Sequence, residues 1–308
     1  MPNSIEVILN SRSGSQRAAE TRLILERVLS ASTRSFQITM ASGDALARVA
    51  REKAMSGCDV LVAGGGDGTI SRVAEAALRA DKPLGVLPLG TFNYFARSHG
   101  IPLELEGAVR VILEGSTTNV SVFDLDDRLV LNNVSIGIIP TVLLKRRRLY
   151  QRWGRNQFNA YLSVLLTIFR PAHRMRLRLA TDSAEAVRET PLVLICSNAY
   201  QIEAFQLAGR ECLAAGQFAL YVARLSGRKT ILHLGLRSLI RHLRPGQDYD
   251  VICASDVMIE TLRRREFRAT VDGELVKLKS PMRFRVLPTQ LRVLAPAANE
   301  PPSLVVPS

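Results

Sequence analysis

The stretch VLVAGGGDGTISRVAEAAL at Val60–Leu78 constrains this chain more than any other. An apolar run, Val60–Ala63, meets three glycines, an aspartate, a fourth glycine and a threonine, and a segment with helical spacing follows at once. A strand that ends in a glycine loop and opens a helix offers several backbone N–H groups to a phosphate. Gly64, Gly65, Gly66 and Gly68 let a ligand approach the backbone with no Cβ in the way. Asp67 is the unusual member. A carboxylate beside phosphates repels them unless it holds Mg²⁺ or a reacting hydroxyl, so the pattern points to phosphoryl transfer rather than nucleotide storage. Asp-Gly is also a strong hairpin signal. Here Ile70, Val73, Ala74, Ala77 and Leu78 recur at helical spacing, which predicts a helix after the loop.

Residues 1–120 alternate strand and helix, the pattern of an α/β nucleotide-binding domain with a parallel sheet. Strands are expected at Ile5–Leu9, Ser35–Met40, Val60–Ala63 and Leu84–Leu87. Helices are expected at Gln16–Leu29, Asp44–Met55 with Asp44 at the N-cap or first turn, Phe92–Ser98 and Leu105–Glu114. Over residues 121–287 strand patterns dominate: Val120–Leu125, Arg128–Val134, Met175–Ala180, Pro191–Ser197, Gln217–Arg224, Asp250–Glu260, Phe267–Val271 and Met282–Leu287. Leu149–Phe169 and Thr230–Leu243 alone read as helices there, so a β-rich, all-β sandwich-like second domain is expected. The apolar segment within 288–298 is expected to return to the first domain, and 299–308 to be a flexible, Pro-rich tail.

Three βα turns carry unusual chemistry: Asn10-Ser11-Arg12-Ser13-Gly14 after the first strand, Gly64–Thr69 after the third, and Pro88-Leu89-Gly90-Thr91-Phe92-Asn93 after the fourth. In a parallel sheet all three lie at the carboxyl edge, where open α/β sheets bind ligands. Their small hydroxyl, amide and glycine residues suit a phosphate-bearing ligand. Neither GxGxxG nor GxxxxGK[ST] is present, and no lysine stands in the glycine loop, so metal, backbone amides and distant arginines must neutralise the phosphates. Far downstream, Val271-Asp272-Gly273-Glu274 reads as a hairpin turn leading into Leu275–Leu278. Glu274 is a candidate base, because a hydroxyl nucleophile needs one near neutral pH.

A net charge of +13 points to an anionic partner: nucleic acid, an anionic membrane or a polyphosphate ligand. Zinc pairs, RNP-like aromatics and a basic arm are all missing, so nucleic acid is not expected. The amino-terminal strand has no basic n-region or long apolar core, and no run is long enough to span a bilayer. Cys58, Cys196, Cys212 and Cys253 are scattered in apolar sequence and read as buried free thiols of a reducing cytosol. The four histidines form no cluster, which offers no metal site.

Asn10–Gly14, Gly64–Thr69, LGVLPLGTFNYFAR at Leu84–Arg97 and VDGE at Val271–Glu274 occur in order over nearly the whole chain. Together they resemble the soluble diacylglycerol kinase family, which includes bacterial lipid kinases and sphingosine kinases. The second element is shared with NAD kinases; the third is more specific to lipid kinases. The resemblance implies an NAD-kinase-like N-terminal domain, a C-terminal sandwich supplying lipid-binding surface, and an active site between them. It places Asn10, Ser13, Gly14, Thr39, Gly65, Gly66, Gly68, Thr69, Ile70, Ser71 and Thr91 around ATP, and Gly64, Gly90 and Asn93 of the same loops are taken with them. It puts Asp67 in the Mg²⁺ and acceptor-hydroxyl network and makes Glu274 the general base. Three departures stand out. Where the family often has an acidic Asp-Gly pair for a structural Mg²⁺, this chain has Ala214-Ala215-Gly216-Gln217. Ser71-Arg72 replace a frequent Asn-Glu, and Tyr94 stands where an acid is common.

Lys145-Arg146-Arg147-Arg148, Arg152, Arg155 and Arg170 flank an apolar helix pattern carrying Tyr150, Trp153, Phe158 and Tyr161. Such a segment suits the surface of an anionic bilayer; a core-packing helix with a solvated basic face has the same pattern. Arg263-Arg264-Arg265 with Arg268, and Arg237, Arg241 and Arg244 at helical spacing, add charge. The expected activity is ATP- and Mg²⁺-dependent phosphorylation of a lipid hydroxyl by a cytoplasmic, peripherally membrane-associated enzyme. A soluble-acceptor kinase such as NAD kinase, and a non-catalytic ATP- or lipid-binding regulator, are the alternatives. The acceptor lipid and the oligomeric state are not written in the sequence.

Overall fold

The computed structural model describes residues 4–11, 15–30, 33–43, 45–153, 174–224, 243–263 and 265–297. The chain divides into two units, Met1–Val122 with Leu287–Ser308, and Phe123–Val286. In the first, β1 (Ser4–Asn10), β3 (Val60–Gly65) and β4 (Leu84–Pro88) are runs of apolar and small residues, buried on both faces. Such runs suit the centre of a parallel sheet. With β2 (Ser35–Ala41), β5 (Ser116–Val120) and β18 (Leu291–Ala295) they form a sheet in the order β2-β1-β3-β4-β18-β5. All its pairings are parallel except β18–β5.

Helices α2 (Ala45–Ala54) and α3 (Asp67–Arg79) pack on each other and on the central strands. Helix α1 (Ser15–Ser30) packs on α5 (Leu105–Glu114), which also covers β4; the short α4 (Tyr94–Ser98) touches α3. The β1-to-β2 connection leaves β1 on one side and the β3-to-β4 connection runs the other way. The switch point of the sheet therefore lies between β1 and β3, whose carboxyl ends carry Asn10 and the glycine loop.

The second unit holds, among the described residues, two six-stranded antiparallel sheets. One consists of β6 (Phe123–Leu125), β7 (Arg128–Val130), β9 (Met175–Thr181), β10 (Glu185–Thr190), β14 (Asp256–Thr261) and β17 (Met282–Val286), in the order β10-β9-β14-β17-β6-β7. The other consists of β8 (Asn133–Gly137), β11 (Leu192–Cys196), β12 (Phe218–Ala223), β13 (Tyr249–Ala254), β15 (Glu266–Val271) and β16 (Glu274–Lys279), in the order β13-β12-β11-β8-β15-β16. Alternate residues of both sheets enter one core, with Phe123, Leu177, Val257 and Phe284 from the first sheet and Val134, Val193, Phe218 and Leu220 from the second. This is a sandwich. The outer face of the second sheet is covered by α6 (Ile138–Trp153) over β8, β15 and β16, and by α8 (Arg210–Ala214) over β12 and β13. The neighbouring α7 (Ala199–Ala204) completes this layer, its Ile202 joining Cys196, Cys212, Ala219, Tyr221 and Tyr249 in a smaller apolar cluster.

The α/β-then-sandwich class matches the sequence expectation; several elements do not. Val120–Leu125 is not one strand: β5 ends at Val120 in the first unit's sheet and β6 starts at Phe123 in the sandwich. Arg128–Val134 splits into β7 and β8 because the N–H groups of Leu131, Asn132 and Asn133 go to the Asp272 carboxylate. Asp250–Glu260 splits at Ser255, whose N–H is taken by Asp182 and whose carbonyl accepts from Val286. The polar β10, the early start of α6, and both α7 and α8 carry no clear period and were not expected. Cys212 and Cys253 are not free thiols. They are disulfide-bonded, α8 to β13, across 41 residues that β12 folds back; Cys58 and Cys196 are free and buried. Asp44, Arg264, Arg237, Arg241 and the 299–308 tail lie outside the described residues, as do most of the Leu149–Phe169 and Thr230–Leu243 helix patterns. No helix among the described residues is long and apolar enough to cross a membrane.

Candidate active site

Strand β3 continues through Gly64 and Gly65, Gly66 caps α3 in an extended conformation, and Asp67 already stands in the first helical turn. The loop is therefore a single residue, and it is shaped by its neighbours. A Cβ on Gly65 would fall 2.5–2.8 Å from the Thr69 side chain, and one on Gly90 would fall 2.5 Å from Gly66 Cα. The β3–α3 and β4–α4 turns thus cross backbone against backbone. Leu89 N–H donates to Gly65 O at 2.9 Å. Asn10 Nδ2 donates to Thr69 Oγ1 at 2.8 Å, tying the first turn to the second.

Asn93 holds the third turn. It is buried, left-handed at φ 52°, and its Oδ1 accepts from Gly90 N–H at 2.9 Å. Its Nδ2 donates to Pro88 O at 3.2 Å and Gly90 O at 3.1 Å. These bonds make Asn93 a brace of the turn. Asp67 reaches across to the start of α4 and accepts the Phe95 N–H at 3.1 Å. Burial pushes its carboxyl above the ordinary carboxylate range, while the backbone N–H groups of Phe95, Asp67 itself, Asn93 and Tyr94 offset part of that push. A half-buried carboxylate in this state gains from a cation.

The other expected positions are spread around these three turns. Thr39 stands on β2 opposite Ile8, half-buried. Thr91 is exposed on the third turn, followed by the half-exposed Phe92, which stacks parallel on Tyr94 at 5.3 Å. Ser71 lies in α3, half-buried. Ile70 is fully buried and its N–H closes on Gly66 O, so its side chain and its amide both serve the fold. Arg72 donates to Gly43 O at 2.7 Å. Ser13 and Gly14 lie outside the described residues.

Glu274 belongs to the second unit, as the first residue of β16, paired with Val271. The turn between them, Asp272-Gly273, has φ of 46° and 81°, both left-handed, as a two-residue type I′ hairpin requires. The sequence marked this turn but not what surrounds it. The Asp272 carboxylate is buried, and Asn132 Oδ1 accepts from Asn198 Nδ2 at 2.7 Å. Asn133 Nδ2 donates to Gln201 Oε1 at 2.9 Å, and Gln201 N–H to Asn198 Oδ1 at 2.9 Å. The Asn132-Asn133 pair, polar in an otherwise apolar run, was the available signal.

The residues at the candidate nucleotide site fit a magnesium-bound triphosphate: a desolvated carboxylate stands in the first turn of a helix that opens directly from a glycine turn at the carboxyl edge of the sheet. The corner at Ala214–Gln217 does not fit a structural Mg²⁺. It presents no carboxylate, the exposed Glu211 is the nearest acid in the sequence, and Cys212 is bonded to Cys253.

Residues 4–125 match the family model of the diacylglycerol kinase catalytic domain. A probable YegS-like lipid kinase of Enterobacter is 39% identical over 105 residues, 33% of this chain and 35% of its own length. A second, from Yersinia enterocolitica, is 34% identical over 143 residues, 44% of this chain and 47% of its own. The chain spans roughly half, or less, of the length of the curated relatives it matches. A crystal structure of a diacylglycerol kinase from Bacillus anthracis shares the fold, with a TM-score of 0.74 over 96% of this chain and 98% of that one, at 20% identity. Residues 4–125 are therefore similar to the diacylglycerol kinase catalytic domain, and the fold is shared with the Bacillus anthracis protein over nearly the whole chain.

Proposed function

We propose that this protein transfers the γ-phosphoryl group of ATP to a hydroxyl of a membrane lipid. The observation that carries the reading is the lacing of three βα turns at one sheet edge, with a desolvated carboxylate directly after the glycine turn. Backbone N–H groups of the Gly66–Gly68 turn hold phosphate oxygens. Asp67 and the phosphates would hold Mg²⁺, which supplies charge neutralisation during transfer. Glu274 takes the proton of the acceptor hydroxyl. Phosphoryl transfer is mostly positioning and electrostatics, so the braces, Asn93 on the third turn and Asn10 on Thr69, matter as much as the groups that touch ligand.

A lipid acceptor is supported by the names of the matched relatives and by the charge, 41 Lys and Arg against 28 Asp and Glu. Part of that charge is paired: Arg178 with Glu260, Arg283 with Asp256 and Arg285 with Asp124. The basic end of α6 begins at Lys145, on a helix packed over β8, β15 and β16. That segment attaches the enzyme peripherally to an anionic bilayer.

The test is transfer of labelled γ-phosphate to a panel of lipid alcohols in mixed micelles with Mg²⁺, with NAD as a soluble acceptor and Glu274→Gln protein as the blank. The reading predicts a labelled lipid absent from the blank. Labelled NADP with no labelled lipid would overturn the acceptor class, and no labelled product with measurable ATP binding would overturn the catalytic reading.

A further inference from the structure

A two-residue type I′ turn usually sits in solvent, held by its own backbone preference. The Asp272-Gly273 turn does not. Asp272 is only 7% exposed, and its carboxylate accepts three consecutive backbone N–H groups: Leu131 on Oδ2 at 3.0 Å, and Asn132 and Asn133 on Oδ1 at 2.7 and 3.1 Å. The Asp272 N–H returns a bond to Asn133 O at 2.9 Å. Burying a carboxylate costs more than a hairpin turn needs, and a set of charge-assisted bonds is what makes it tolerable.

The strip that receives the carboxylate is itself fixed. Ser197 N–H donates to Asn132 O and Ser197 Oγ to Leu131 O, each at 3.0 Å. Asn198 and Gln201 hold the two asparagine side chains, as described above. Asp272 therefore ties the hairpin to a braced segment.

The residue that gains from this is Glu274. Strand β16 stands at the edge of its sheet, paired with β15, and Glu274 opens it directly after the clamped turn. We propose that Asp272 is a positioning residue: its clamp on the Leu131–Asn133 amides fixes the left-handed turn and with it the placement of the Glu274 carboxylate. The proposal rests on the reading of Glu274 as the base.

Asp272→Asn tests it, because asparagine keeps the left-handed preference and the shape but puts an N–H donor where an acceptor stood. The readouts are amide hydrogen exchange over Leu131–Asn133, thermal melting, and kcat and KM for ATP on the lipid acceptor, with Glu274→Gln alongside. The expected result is faster exchange at the three amides, a variant folded at assay temperature, KM for ATP within about twofold, and kcat lower by about 30-fold or more. Asp272→Gly, which also adopts a positive φ, should match it. If Glu274→Gln turns over normally, the reading of Glu274 fails and the proposal with it. If Glu274→Gln is inactive while folded Asp272→Asn and Asp272→Gly keep wild-type kcat, the positioning role alone is overturned. Loss of folding in both Asp272 variants would also overturn it, since the clamp would then serve the fold.

Discussion

Gly90→Ala is the sharpest steric probe of the candidate site. A Cβ there lies 2.5 Å from Gly66 Cα, 2.8 Å from Asn93 Oδ1 and 3.4 Å from Gly66 N. Gly66 is backbone, and Asn93 is pinned by three bonds of its own amide, so neither rotates away. Ordinary contact requires the two turns to part by about 1 Å. A misplacement of that size at a site working by positioning costs on the order of a hundredfold in kcat/KM, about 2.7 kcal/mol. The cost to stability is that of overpacking, about 1–3 kcal/mol. Gly66→Ala is the control for stability but not for turnover, since Gly66 belongs to the proposed phosphate turn. Its Cβ meets Gly90 Cα at 3.4 Å and its φ of −86° suits alanine, so small shifts relieve it. The Gly64 Cβ would meet the end of the Leu9 side chain, which can turn aside. The assay is kcat/KM for ATP with melting of each variant. Turnover of Gly90→Ala within about twofold of wild type, or a fall in melting temperature in Gly66→Ala equal to that in Gly90→Ala, would refute the reasoning.

Two further outcomes follow from other parts of the structure. Because desolvation raises the Asp67 pKa, activity should fall with decreasing pH above the ordinary carboxylate range. Added Mg²⁺ favours the ionised form and should move that limb to lower pH; a pH–rate profile at two Mg²⁺ concentrations checks the sign, and an immobile limb contradicts it. The Cys212–Cys253 bond closes a 41-residue separation, for which chain entropy gives about 4 kcal/mol. Thiol titration of unreduced, denatured protein should find two of the four cysteines, and dithiothreitol should lower the melting temperature where EDTA does not.

What the sequence showed and what it hid divide along a physical line. Strand β3 and helix α3 were legible because burial and period agree over Val60–Leu78. The three turns were legible as polar loops on one sheet edge. That Asn93 is spent on bracing, or that Gly66 and Gly90 touch, needs three-dimensional neighbours. The strand breaks at Leu131–Asn132 and Ser255 were hidden for the same reason. Each is set by a distant carboxylate, Asp272 or Asp182, that captures an amide a strand partner would otherwise take. The disulfide joins a helix to a strand with no local spacing to announce it. Asp272 looked like turn punctuation because Asp-Gly is common in exposed turns; its burial is tertiary information.

The central claim is that Asp67 and Glu274 do chemistry rather than hold the fold. It is tested most directly by single-turnover transfer of labelled γ-phosphate to diacylglycerol micelles by wild-type, Asp67→Asn and Glu274→Gln proteins, with melting and ATP affinity measured on the same samples. The account predicts folded variants that both lose transfer by about a thousandfold or more, with Glu274→Gln binding ATP as the wild type does. Transfer at near wild-type rate by either folded variant would contradict it.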